Sequence, residues 1–173
     1  MLSRRRFVLA ASAVAASAQL LAPRRAAASL TQPRDRIVLT VEGAIAGRNA
    51  GDRALFDMAM LLGMPQATLR TATPWTAGPQ DFTGVLLRDL LAALGARGTA
   101  LKARALNDYE VTIPIAEAGR YPVLLAHSRN GAPMSLRERG PLWIIYPLDD
   151  HAELRTPEFH SRMIWQLARL TVV

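Results

Sequence analysis

The first 28 residues bound what the rest of the chain can become. Ser3-Arg4-Arg5-Arg6-Phe7 is basic, Val8 to Leu21 is apolar except at Ser12, Ser17 and Gln19, and Ala26-Ala27-Ala28 offers a small-residue cleavage site. Basic n-region, apolar h-region and A-x-A site together define a secretory signal. The mature chain is therefore expected to begin near Ser29, with Ala16-Ser17-Ala18 as a second, weaker site. Two arginines ahead of a spacer and Phe7 also match the twin-arginine pattern, a route that exports proteins already folded. Arg24 and Arg25, just before the cleavage site, suit that route, because the general secretory route disfavours positive charge there. The other reading is an uncleaved anchor. Against it, the alanine-rich stretch of about 15 residues is short of the roughly 20 that span a bilayer. The expectation is a periplasmic protein with no stable membrane insertion after cleavage. Its parts are a signal at 1–28, a short tether at 29–36 carrying Pro33, and one domain at 37–173.

Cleavage changes the charge argument. All five arginines of the signal leave with it, so 21 basic residues against 14 acidic become 16 against 14. The high pI belongs mostly to the signal, and too little positive charge remains to track a phosphate backbone. Nucleic acid is excluded as a partner on that ground. The chain has no cysteine, which removes disulfides, thiolate nucleophiles and thiolate metal ligands together. At about 145 residues the mature chain is long enough to bury an ordinary hydrophobic core without such staples.

Along that chain, Ile37 to Val41 is β-branched and closes at Glu42-Gly43, a strand with its turn. Asp52 is placed to cap a helix from Arg53 to Leu62, which Gly63 and Pro65 would stop. Ala67 to Thr73 alternates as a strand ending at Pro74, and Gly78, Pro79 and Asp81 read as a loop. Leu87, Leu90, Leu91 and Leu94 recur at helical spacing within Val85–Leu94, with Gly95 as the terminator. Leu101, Ala103 and Ala105 share one face. Beyond a turn at Asn107-Asp108, Tyr109, Val111 and Ile113 share another, and Pro114 opens a helical turn to Ala118. Val123 to Arg129 and Ala132 to Leu136 flank Asn130-Gly131, the strongest hairpin signal in the chain. Leu142 to Tyr146 is an apolar strand, residues 148–158 are loop-like, and Met163 to Val173 ends as a strand. Helices and strands are interspersed and hairpins outnumber βαβ units. The fold class is α+β, a single domain with a mixed or antiparallel sheet and a few short helices.

Few motifs carry chemistry by themselves. His127, His151 and His160 lack tight ligand spacing, and Asp149-Asp150-His151 is as well explained by a solvated acidic loop. There is no Gly-x-Ser-x-Gly elbow, phosphate-binding glycine loop or dinucleotide fingerprint.

The order of five segments says more. Thr71-Ala72-Thr73-Pro74-Trp75, Phe82 to Leu91, Ala105-Leu106-Asn107-Asp108-Tyr109, Leu125 to Met134 and Gly140 to Pro147 follow one another. This order resembles the oxidoreductase molybdopterin-binding domain of the sulfite-oxidase fold, from about Ile37 to the end. Catalytic members of that family hold molybdenum through one cysteine near the end of the strand preceding the Trp/Phe-Gly segment. Here that stretch is Leu69-Arg70-Thr71-Ala72-Thr73, and threonine is a hard, protonated donor where the site uses soft thiolate. The resemblance therefore implies a pocket that binds a pterin without turning it over, like small cysteine-free members linked to pterin sensing. Such members report to an inner-membrane signalling protein, for example a cyclic-di-GMP enzyme with a periplasmic domain. The alternative implied is a molybdopterin-dependent oxidoreductase or a subunit of one, and a third is a ligand-free scaffold.

A pterin is flat and edged with donors and acceptors, so its site needs a stacking surface and a few placed polar groups. The segments that border the family's pocket offer Thr73, Trp75, Asp108, Tyr109, Arg129 and Asn130. In that reading Asp108 pairs with the amino and ring N–H edge while Trp75 or Tyr109 stacks. Plainer roles are open to each: Trp75 as core, Asp108 and Asn130 as turn formers, Arg129 as a solvated charge. Trp143 and Trp165 sit in apolar strands and read as core.

Overall fold

The computed structural model describes residues 30–173. The export signal and cleavage site expected from the sequence lie outside the described residues.

Two five-stranded sheets share one apolar core. The first takes the order β2 (Ala54–Asp57), β1 (Ile37–Gly43), β10 (Leu167–Val172), β5 (Ala100–Ala105), β6 (Glu110–Pro114). Only β1 and β10 run parallel, Thr40 opposite Arg169, so this sheet is mixed. The second runs β3 (Gln66–Thr71), β4 (Gln80–Leu86), β7 (Leu124–Arg129), with β8 (Ala132–Pro133) and β9 (Trp143–Ile145) both paired to β7. Period-two patterning drives the strands: Leu39 and Val41 in β1, and Leu101, Ala103 and Ala105 in β5, turn inward while Lys102 and Arg104 turn out. In β4, Gly84 lies where an added Cβ would meet the Leu125 carbonyl at 2.0 Å, and the β4–β7 register shifts at that point. The close strand approach requires glycine.

Among the described residues four short helices connect the strands: α1 (Met58–Leu62), α2 (Leu87–Ala93), α3 (Ile115–Arg120) and α4 (Pro157–Arg162). Leu87, Leu90, Leu91 and Leu94 of the α2 segment are buried. Gly95, at φ 57°, closes it with Gly95 N–H to Ala92 O and Ala96 N–H to Leu91 O, a Schellman arrangement.

The structure departs from the sequence expectations at four places. The helix expected over Arg53–Leu62 is a strand, β2, followed by α1, and the cap is Asp57, whose carboxylate accepts from Met60 N–H at 2.8 Å. Pairing with β1 takes the first half of that apolar run into the sheet. The loop expected around Gly78–Asp81 already enters β4 at Gln80, so α2 begins at Leu87 rather than Val85. The return strand Ala132–Leu136 stops after Pro133 and gives way to a 3₁₀ turn at Leu136–Glu138, closed by a capping box between Ser135 and Glu138. The expected loop at 148–158 contains a 3₁₀ turn and the start of α4. Among the described residues no helix is long and apolar enough to cross a membrane.

Candidate functional site

The two sheets meet where Trp143 of β9 bridges Trp165, just ahead of β10. A third indole joins them from the β3–β4 loop. That loop is turned by paired hydroxyls: Thr73 Oγ1 and Thr76 Oγ1 lie 3.0 Å apart, Thr76 Oγ1 accepts from Thr73 N–H, and Thr73 Oγ1 accepts from Trp75 N–H at 3.2 Å. Trp75 is thereby held edge-to-face with Trp165, ring centroids 4.9 Å apart at 77°, and 6.1 Å from Trp143. Trp143 is fully buried and its Nε1–H donates to Met163 O at 2.9 Å. The Arg139 guanidinium lies 5.5 Å and 5.4 Å from the Trp143 and Trp165 rings, within cation–π range.

Beside these rings is a cavity of about 230 Å³ lined by Trp75, Trp165, Tyr109, Asn107, His160 and Ile164, among others. Its walls are aromatic and its edges polar. Asn107 Oδ1 accepts from Tyr109 N–H at 3.2 Å, which leaves the amide N–H₂ free to donate. Tyr109 OH donates to Ser161 O at 3.4 Å and keeps its oxygen as an acceptor. The His160 ring stands edge-on to Trp75, centroids 6.5 Å apart, and its nitrogens have no hydrogen-bond partner among the described residues. A flat heteroaromatic ring needs such a set: surface to stack on and a few unpaired groups to orient it.

His160 and Ser161 reach the cavity on α4, which buries no residue fully. An ion pair positions this helix. Arg162 donates to Glu117 of α3 at 2.5 Å, both side chains only 13% exposed, and also to Glu158 at 2.5 Å. Tyr146 OH donates to the other Glu117 oxygen at 2.7 Å. Burial first, then the Glu117 carboxylate, push the Tyr146 hydroxyl far above its ordinary range, so it remains a protonated donor.

The six residues singled out from the sequence are dispersed. Trp75 and Tyr109 come together at the cavity, and Thr73 is buried behind them, closing the loop that carries Trp75. Asp108 sits at φ 65° with its side chain 87% exposed, 3.9 Å from Arg104, and lines a neighbouring groove instead. Arg129 meets Glu138 at 3.5 Å. Asn130, at φ 50°, accepts from Asp81 N–H at 3.0 Å and donates to Gln80 Oε1 at 2.6 Å, tying the hairpin turn to β4. Asn107, His160 and Trp165 complete the cavity and were not singled out as ligand-binding. None had a signal in the sequence: Asn107 lies in a turn beyond the end of β5, where strand alternation no longer holds, and His160 and Trp165 come from late in the chain.

The donor set does not suit protein-held molybdenum. The strand that precedes the Trp75 loop, β3, ends at Thr71, fully buried. The Thr71 hydroxyl donates to Ala72 O and accepts from Asp149 N–H, each at 3.2 Å, while the Asp149 carboxylate accepts from Ala72 N–H at 2.8 Å. A hydroxyl so committed is no substitute for a thiolate. Among the described residues no group of three or more His, Cys, Asp or Glu side chains gathers to hold a metal ion.

Fold and cavity together define a small α+β domain of the sulfite-oxidase type. A family model described as "Oxidoreductase molybdopterin binding domain" matches residues 39–148, and the chain belongs to that family. Trp75, Asn107 and Tyr109 fall inside the matched stretch, His160 and Trp165 beyond it. Among solved structures, the sulfane dehydrogenase SoxCD from Paracoccus pantotrophus aligns with a TM-score of 0.56 at 19% identity. The alignment covers 78% of this chain and 37% of that one, and it shows a shared fold. No curated protein matches.

Proposed function

We propose that this chain is a periplasmic, pterin-binding member of the family that does not turn its ligand over, acting as the ligand-sensing partner of a membrane signalling protein. The observation that carries the reading is the cavity: indole and phenol walls, with the Asn107 amide N–H₂ and the His160 imidazole without partners at its edge among the described residues, in a chain without a thiol. The pterin ring stacks on Trp75 or Trp165, and its amino, N–H and carbonyl edge faces the Asn107 amide, the His160 imidazole and the Tyr109 hydroxyl. At about 230 Å³ the space falls below the roughly 300–1,000 Å³ of drug-sized pockets. That supports a bare, metal-free bicyclic ring over a larger metal-bearing cofactor.

The family's description favours a second reading, a molybdopterin-dependent oxidoreductase or a subunit of one. Protein purified from its own periplasm separates the two. Pterin fluorescence in the extract, with molybdenum far below one per chain and no sulfite, sulfoxide or nitrate turnover, is the expected result. Near-stoichiometric molybdenum with any oxo-transfer rate overturns the binding reading. An extract with neither pterin nor metal leaves the scaffold.

A further inference from the structure

Three of the large apolar side chains exposed on this domain gather in one groove. Ile37 is 37% exposed, Leu106 50% and Leu136 48%, and they surround a concavity of about 410 Å³ floored by buried Met134 and Leu167. Arg36, Arg104 and Arg169 also line it. Arg104 is shared with Glu110 at 2.9 Å and Arg169 with Glu42 at 3.3 Å, while Arg36 has no carboxylate partner among the described residues. The one carboxylate lining the groove is Asp108, 3.9 Å from Arg104. Each guanidinium carries five N–H donors, so donors remain on all three. An apolar centre with a polar, arginine-bearing rim is the anatomy of a protein interface, and a clustered apolar patch marks one.

We propose that this groove docks a partner protein through an extended segment that presents a large apolar side chain between carboxylates. The apolar residues line a hollow, which accepts a projecting side chain and is poorly matched to a flat lipid surface. A second copy docked groove to groove would bring three arginines from each side against a single lining carboxylate, Asp108. A carboxylate-flanked apolar segment satisfies both the floor and the rim.

The groove and the ring cavity share a wall, and this part of the proposal rests on the pterin reading. Ala105 lines both. Beyond it the β5–β6 turn alternates: Leu106 and Asp108 line the groove, Asn107 and Tyr109 the cavity. The second segment of the wall changes sides at Gln166, at φ 49°, with Trp165 on the cavity and Leu167 and Ala168 on the groove. Leu106 N–H donates to Gln166 O at 2.9 Å and joins the two strands. A ring that hydrogen-bonds Asn107 therefore acts on the same turn that shapes the docking surface, and the two binding events are linked reciprocally.

The test is an NMR titration of the isotope-labelled mature chain with the hexapeptide Glu-Asp-Leu-Phe-Asp-Glu, and with the same peptide carrying Lys at the four acidic positions. Amide shifts at 36–38, 104–108, 134–136 and 167–169 are expected with the acidic peptide alone. Leu136→Asp and, separately, Arg36→Glu should each weaken it at least fivefold while tetrahydropterin affinity stays unchanged. Saturating tetrahydropterin should change peptide affinity at least threefold, and Asn107→Ala should remove that change. Absent or scattered shifts, or equal response to the Lys peptide, overturn the docking site. So does phosphatidylglycerol-vesicle binding that Leu136→Asp abolishes, or a dimer that it dissociates. Peptide docking in a chain that binds no tetrahydropterin keeps the groove and removes the pterin reading; tetrahydropterin binding without docking does the reverse.

Discussion

Glu117→Gln keeps the shape of the side chain that anchors α4 and removes its charge. Glu117 accepts from Arg162 on one oxygen and from Tyr146 OH on the other. In either orientation of the new amide, one of those donors faces an N–H₂ group and loses its acceptor. Breaking a buried pair costs about 3–5 kcal/mol, and a single charge-assisted hydrogen bond is worth about 1.5–3 kcal/mol. Both side chains keep 13% exposure and Arg162 retains Glu158, itself 66% exposed, so the lower range applies. A loss of about 2–3 kcal/mol lowers Tm by roughly 5–10 °C in a domain of this length. Arg162→Met should lose a similar amount, and the double variant much less than the sum, with a coupling of about 1.5 kcal/mol or more. Urea melts with an unchanged slope provide the free energies. Single losses below about 0.5 kcal/mol, or strict additivity, would refute the claim that this pair holds the helix carrying His160.

Other expectations follow from single contacts. His127 donates from Nε2 to Gln66 Oε1 at 2.8 Å, since the Gln66 amide nitrogen is engaged with the Leu61 and Met64 carbonyls, and its Nδ1 accepts from Ser128 Oγ at 2.7 Å. Burial holds its pKa below the ordinary histidine value. The unfolded chain therefore takes up this proton first, so the stability is full above about pH 6.5 and is lost as pH falls towards the lowered folded value. His127→Gln should flatten the fall in Tm between pH 7.5 and pH 5, and an unchanged slope counts against the assignment. Gly84→Ala should be destabilising by about 3 kcal/mol, the upper end for overpacking, because the new methyl meets the Leu125 carbonyl. Gly119→Ala, in α3 with open space at its Cβ position, should stabilise by about 0.5–1 kcal/mol in the same melts. Replacing Arg4 and Arg5 with Lys should strand precursor in the cytoplasm, and mature protein should begin at Ser29 by intact mass; unchanged export would assign the general secretory route.

What could be read from the sequence follows which forces are local. Strands β1 and β5 and helix α2 each present one apolar face, so periodicity alone finds them. The run from Leu55 to Leu62 suits either period, and it is divided by pairing with β1, a contact from elsewhere in the chain. Helix α4, six residues long, is too short to show an apolar stripe, and it is anchored by Phe159 against Tyr146 and by an ion pair with Glu117. The cavity is split in the same way. Trp75 and Tyr109 lie in segments whose order carried the resemblance, whereas His160 and Trp165 arrive from late in the chain through sheet and helix packing. Asp108 and Asn107 are neighbours in the turn, and only the backbone path puts one in the groove and the other in the cavity.

The central claim is that the indole-walled cavity holds a pterin ring, and calorimetric titration tests it most directly. Wild-type protein, Trp75→Ala, Asn107→Ala and Asp108→Asn are each titrated with a tetrahydropterin and its oxidised form, beside thermal melts that confirm folding. Wild type should bind at least one form. Loss of stacking in Trp75→Ala should weaken it ten- to hundredfold, about 1.5–3 kcal/mol, and Asn107→Ala about tenfold. Asp108→Asn, on the far side of the turn, should bind as tightly as wild type. Wild type that binds neither form, or Trp75→Ala and Asn107→Ala variants that bind as well as wild type, would contradict the account.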